Sequence, residues 1–154
     1  MRDALIVSTA RTPLTKSYRG TFNNTTAPTM AGWAIEEAVK RSGVDPEKVD
    51  DVIMGAALQQ GTQHCNVARN SALAAGLPVT VSGMTLDRQC SSGMMAIATA
   101  AKQIISDGMD VAVGGGLDSI SLVQTEKMNL DRWVDKKLIE KHKHIYMPML
   151  KTAE

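Results

Sequence analysis

The stretch Ser91–Gly116, SSGMMAIATAAKQIISDGMDVAVGGG, decides the fold class of this chain. From Ser91 to Ser106 it carries Met94, Met95, Ala96, Ile97, Ala98, Ala100, Ala101, Ile104 and Ile105, with Lys102 as its only cation. A surface helix keeps a polar stripe at the 3.6-residue period, whereas a helix apolar on nearly every face is expected to be buried. Val111–Val113 then runs into Gly114-Gly115-Gly116, the pattern of a buried strand ending where the backbone needs glycine. A buried helix that feeds a buried strand implies stacked layers and an α/β fold.

The flanking sequence extends this pattern. Upstream, Thr80–Leu86 reads as a strand, and Asn66–Ala75 as a helix closed by Gly76 and Pro78. Before them, Val52–Ala57 reads as a buried strand, and Asp45-Pro46-Glu47 has the cap-then-proline form of a short helical turn. Met30, Trp33, Ala34, Ala38 and Val39 recur at helical spacing, so an amphipathic helix is expected over Met30–Ser42, with Thr29 as N-cap and Gly43 past its end. Ala4–Ser8 reads as a first strand, followed by a long Thr-, Asn- and Gly-rich loop up to Pro28. Beyond Ser121 charges crowd Glu126–Lys143 and apolar positions thin out. The stop at Lys151-Thr152-Ala153-Glu154 reads as an interrupted chain.

Composition narrows the function classes. The 154 residues suffice for one compact core. Lys+Arg 17 against Asp+Glu 16 leaves a formal charge of +1, so nothing points to nucleic acid or an anionic membrane surface. Hydrophobic content of 44% with 21% charged residues is that of a soluble globular protein, and no apolar run reaches the length of a membrane span. Cys65 and Cys90 are expected to be free thiols in a reducing compartment, most simply the cytoplasm.

Cys90 falls at the turn between the strand ending near Leu86 and the helix starting at Ser91. First-turn N–H groups at such a place face the sulfur and favour its thiolate, the form that attacks a thioester carbonyl. Gly93 and the small residues around it leave room for an acyl group. By spacing alone, a small core hydrophobe is the commoner reading of a free cysteine, and it stays open here. Cys65 reads as structural. His64, His142 and His144 lie in polar or charged surroundings and have no metal-ligand spacing with Cys65, so no metal is expected. The three successive glycines lack a phosphate-loop frame.

Further meaning comes from the run Asp87-Arg88-Gln89-Cys90-Ser91-Ser92-Gly93-Met94-Met95-Ala96-Ile97, which resembles the active-site segment of thiolases that carries the acyl-accepting cysteine. Ala10-Arg11-Thr12-Pro13 with Gly20 resembles that family's amino-terminal segment, and Gly61, Asn66, Ala68 and Arg69 its second helix start. Gly114–Ser121 resembles its glycine turn, with Asp118 where glutamate is common. Met149–Glu154 is similar to a Met-Gly-x-Thr-Ala-Glu segment, with Leu150 in place of the glycine. Pro148 stands where many members have histidine and Asp87 where many have asparagine, departures that lean toward a degradative or unassigned branch. A ketoacyl synthase would share the cysteine and the two-half fold, but the Arg11-Thr12-Pro13 and Asp118-to-Ser121 segments are more thiolase-like.

The resemblance implies a layered thiolase-like α/β fold, αβαβα when whole. This chain would supply the N-terminal half, a mixed five-stranded sheet around a buried helix. Residues 1–121 would form the α/β domain and 122–154 the beginning of a loop domain that holds CoA. It further implies an acyl-CoA C-acyltransferase of fatty acid metabolism, with Cys90 as nucleophile and Met149 at the acyl-CoA pocket. Coenzyme A and acyl-CoA would be substrates, and no cofactor would be covalently bound. Partners would be further copies in a homodimer, with contacts near Val81–Leu86, or in a higher homo-oligomer, or the C-terminal half, and neither nucleic acid nor membrane. The family's Gly-His-Pro histidine, Cys-x-Gly cysteine and asparagine-held water have no counterpart in this sequence. The chain alone is therefore expected to be inactive in turnover, with exposed apolar surface, and a non-catalytic complementing half is the competing expectation.

Overall fold

In a computed structural model describing residues 2–154, three five-residue segments pair side by side: β1 (Asp51–Gly55), β2 (Ser82–Leu86) and β3 (Ala112–Gly116). Their order is β2-β1-β3 and both pairings are parallel. All of β1 is buried, as expected of a central parallel strand.

The strand period of two separates two cores. Val52 and Met54 face α1 (Ala27–Ser42) and α2 (Val67–Ala74), joining Ile35, Val39, Val67 and Ala72. Ile53 faces the other way, onto Ala96 and Ala100 of α3 (Ser92–Lys102). The result is a sheet between two helical layers.

Local chemistry fixes where the helices begin. α1 starts earlier than its apolar period indicates: Thr26 is the N-cap and Pro28 sits inside the first turn, where its missing N–H costs nothing. Asn66 caps α2 by accepting from Arg69 N, and its Nδ2 donates to Gly83 O at 2.7 Å. Thr85 Oγ1 donates to Asn66 Oδ1 at 2.9 Å, so the start of α2 is tied to β2. Past β3 come α4 (Ile120–Val123), α5 (Lys136–Lys141) and α6 (Met149–Ala153), and neither α5 nor α6 buries a residue.

Three sequence expectations need correction. The sheet has three parallel strands, not five in a mixed arrangement. Ala4–Ser8 is irregular, and Leu5, Ile6 and Val7 are exposed by 77%, 78% and 68%. Arg2 holds one end of this segment through Gly108 O and Asp110, and Arg41 holds the other through Thr9 O. A cavity of about 920 Å³ separates it from the edge of β3, so it has no strand within hydrogen-bonding reach. Finally, α3 buries only Ser92, Ala96 and Ala100, and Met94 is 77% exposed. The sheet covers one side of this helix, and among the described residues nothing covers the other.

The glycines of β1 and β3 explain how closely α3 lies on the sheet. A Cβ on Gly55 would stand 2.2 Å from the carbonyl carbon of Ser92, one on Gly116 2.8 Å from Gly93 Cα, and one on Gly114 2.8 Å from Ile97 Cα. Gly55 and Gly116 are register partners, so they form a bare platform under the first turn of the helix. Gly55→Ala must push that turn away, because backbone atoms cannot rotate aside as a side chain can. We expect it to lower the unfolding free energy by more than about 2 kcal/mol in urea titration. An unchanged midpoint would show that the helix does not rest on the strand.

Candidate active site

Between β2 and α3 the chain makes a tight turn, Asp87–Ser91, with Cys90 near its end. Asp87 Oδ1 accepts from Gln89 N at 2.7 Å, and Gln89 adopts a positive φ of 52°. Ser91 Oγ donates to Arg88 O at 2.8 Å. Ser92 Oγ accepts from Arg88 N at 2.7 Å and donates to Gln89 O at 2.6 Å. Cys90 is a free thiol and exposed. It stands just before α3, at the positive end of the helix.

The loops after β1 and β3 meet beside this turn. Gln63, only 1% exposed, donates from Nε2 to Leu58 O at 2.9 Å and to Asp118 Oδ1 at 3.2 Å, and its Oε1 accepts from Ser119 N. Ala57 N also donates to Asp118 Oδ1, at 3.2 Å. Loss of hydration among these loops raises the Asp118 carboxyl above its ordinary 3.8. The hydrogen bonds from Gln63 and Ala57 pull it back, and the Asp87 carboxylate pushes it up further. The node lies past the carboxyl ends of parallel strands, where open α/β sheets form their crevices. Nothing in the sequence pattern singled out Gln63, because a lone glutamine in the polar turn Gly61–Gln63 looks like any loop residue.

Cys90 and Asp118 both line the cavity described above, together with Ala34 of α1, Ile97 of α3 and Gly116 of β3. Met149 does not line it, and its side chain is 76% exposed. His64, His142 and His144 are exposed and lie outside its walls. Cys65, read from sequence as structural, is exposed in a left-handed conformation at φ 49°. Its polar turn carries it out of the core.

The fold and this turn define a class: an α/β domain that offers a free cysteine at a strand-to-helix junction. The family "Thiolase, N-terminal domain" matches residues 4–153. The 3-ketoacyl-CoA thiolase of Bacillus subtilis (strain 168) is 38% identical over all 154 residues, which correspond to 39% of its own length. The acetyl-CoA acetyltransferase of Cupriavidus necator is 40% identical over 79% of this chain and 30% of its own. A crystal structure of the Bacillus anthracis acetyl-CoA acetyltransferase superposes with a TM-score of 0.77 at 41% identity, covering 88% of this chain and 34% of that one. This chain belongs to the thiolase family and spans about two-fifths or less of these relatives.

A carboxyl raised in the folded state binds its proton more tightly there than in the unfolded chain. Its contribution to stability is therefore full below the ordinary value of 3.8 and lost as pH rises through the folded value. Asp118→Asn keeps an acceptor oxygen for Ala57 and Gln63 but cannot ionise. Its urea midpoint should gain on that of the parent as pH rises from 3.8 upward. The gain is expected to be small, because solvent reaches the exposed edge of the carboxyl. Parallel pH profiles would show that Asp118 ionises at no cost.

Proposed function

We propose that Cys90 is the acyl-accepting nucleophile of a thiolase reaction. Its sulfur attacks the thioester carbonyl of an acyl-CoA, a new carbon–sulfur bond forms, and the CoA thiolate leaves and takes up a proton. The acyl-cysteine then passes its acyl group to an acetyl-CoA carbanion, completing condensation. In the thiolytic direction the Cys90 sulfur attacks the 3-keto carbon of a 3-ketoacyl-CoA and the C2–C3 bond breaks. Acetyl-CoA leaves as a carbanion that takes up a proton, and the acyl group passes to the thiol of CoA. The observation that carries this reading is the exposed thiol of Cys90, held at the start of α3 over the glycine platform in a chain of this family.

Several finer assignments belong to the same proposal. Residues 122–154 begin a loop domain that holds CoA, with Met149 at the acyl-CoA pocket; the exposed Met149 side chain leaves it free to contact a ligand. A homodimer forms through β2, an outer strand of the sheet. The role in fatty acid metabolism is degradative, in β-oxidation, as for the relatives named 3-ketoacyl-CoA thiolase. Two free, exposed cysteines fit a reducing compartment such as the cytoplasm.

A second reading, a half that works only when complemented, is favoured by the uncovered side of α3, where Met94 and Ile97 face solvent. The two readings separate experimentally. Incubation with acetyl-CoA should leave one acetyl group on the Cys90 peptide and none after Cys90→Ala, and should protect Cys90 from iodoacetamide. Equal alkylation of Cys65 and Cys90, without protection, would defeat the nucleophile assignment. Thiolysis of acetoacetyl-CoA by the chain alone, faster than by Cys90→Ala, would defeat the complementation reading.

A further inference from the structure

We propose that Ser92 is a positioning residue for Cys90, a pin that transmits the rigidity of the sheet to the nucleophile turn; this rests on the assignment of Cys90 above. Cys90 Sγ makes no hydrogen bond among the described residues, so its placement depends wholly on its neighbours. Of those neighbours, Asp87, Arg88, Gln89 and Ser91 are exposed, and Ser92 alone is buried, at 3%.

The backbone of Ser92 cannot drift. Its carbonyl group lies over Gly55 at a separation that leaves no room for a methyl group, and Gly93 is seated in the same way over Gly116. From that fixed point the Ser92 hydroxyl reaches back with both of its functions. It accepts from Arg88 N at 2.7 Å and donates to Gln89 O at 2.6 Å. These two residues immediately precede Cys90, and Gln89 holds the positive φ that reverses the chain. The pin therefore opposes relaxation of Gln89 toward an ordinary backbone conformation, which would swing Cys90 away from the end of α3.

Ser91 provides the comparison. Its hydroxyl donates to Arg88 O alone, from an exposed position, and its loss leaves both Ser92 bonds in place. Alanine at 92 removes a donor and an acceptor together and strands the Arg88 N–H in a part-buried site. Threonine at 92 keeps both functions.

The test uses the whole chain and reads the ratio of iodoacetamide alkylation rates at Cys90 and Cys65 near neutral pH, with Cys65 as internal reference. In the parent the ratio should exceed one. Ser92→Ala should lower it at least about five-fold, whereas Ser92→Thr and Ser91→Ala should stay within about two-fold of the parent. A parent ratio near one defeats the nucleophile assignment and the pin with it. A high parent ratio that Ser92→Ala leaves unchanged, even with a lowered melting temperature, defeats the pin alone and makes Ser92 merely structural. If Ser92→Ala does not fold, Ser92→Thr decides: a ratio near the parent supports the pin, and one lowered about five-fold overturns it.

Discussion

The structure depends on one contact, the first turn of α3 laid directly on the backbone of β1 and β3. It exists because Gly55 and Gly116 are paired in register and carry no side chains. Close approach of a helix to a sheet normally stops at the side chains between them, near 10 Å between layers. Here the glycines remove that spacer at one end of the helix, while Ile53 and Ala112 keep it toward the other. The turn before the helix is consequently pressed against the sheet, and Cys90 is carried on a rigid base rather than on a free loop.

That constraint explains which parts of the fold could be read from residues. The strands at Asp51–Gly55 and Ser82–Leu86 and the helices that follow them were legible, since β-branched runs, caps and closing glycines all point the same way there. The glycines at 114–116 were legible as a demand for closeness, though they lie inside β3 rather than beyond its end. Ala4–Ser8 misled for a physical reason. Its apolar, partly β-branched composition matches a strand, but strand formation needs a partner at about 4.8 Å, and composition does not report partners. The same holds for α3: its pattern states that every side wants cover, and the chain covers one of them.

The site divides along a similar line. Cys90 could be found because a motif and a helix start coincide at one place in the chain. Gln63 and its bonds to Asp118 and Ser119 could not, because they join residues 55 and 56 positions apart through a glutamine that looks like part of a polar loop. A buried amide of this kind uses its donor and its acceptor in fixed directions, so it sets the spacing of the loops after β1 and β3. Side chains that arrange a site across long sequence distances leave no local periodicity, and folding is what reveals them.

Placement and enclosure are separate requirements of thioester chemistry, and under the proposed function they would fall on different parts of this molecule. A nucleophile must be held within hydrogen-bond accuracy of its target, and on the proposed assignment of Cys90 the platform, the Ser92 hydroxyl and the Asp87 cap would supply that placement. An acyl-cysteine must also be kept from water, or it is hydrolysed before the second substrate arrives. Cys90 is exposed, and Met94 and Ile97, on the helix it introduces, are exposed with it. A single cover packed on the open side of α3 would bury those side chains and screen the thiol in the same step. Apolar residues that are costly on the surface thus stand where, under the proposed function, burial would also serve catalysis, and stability and chemistry would draw on the same contact.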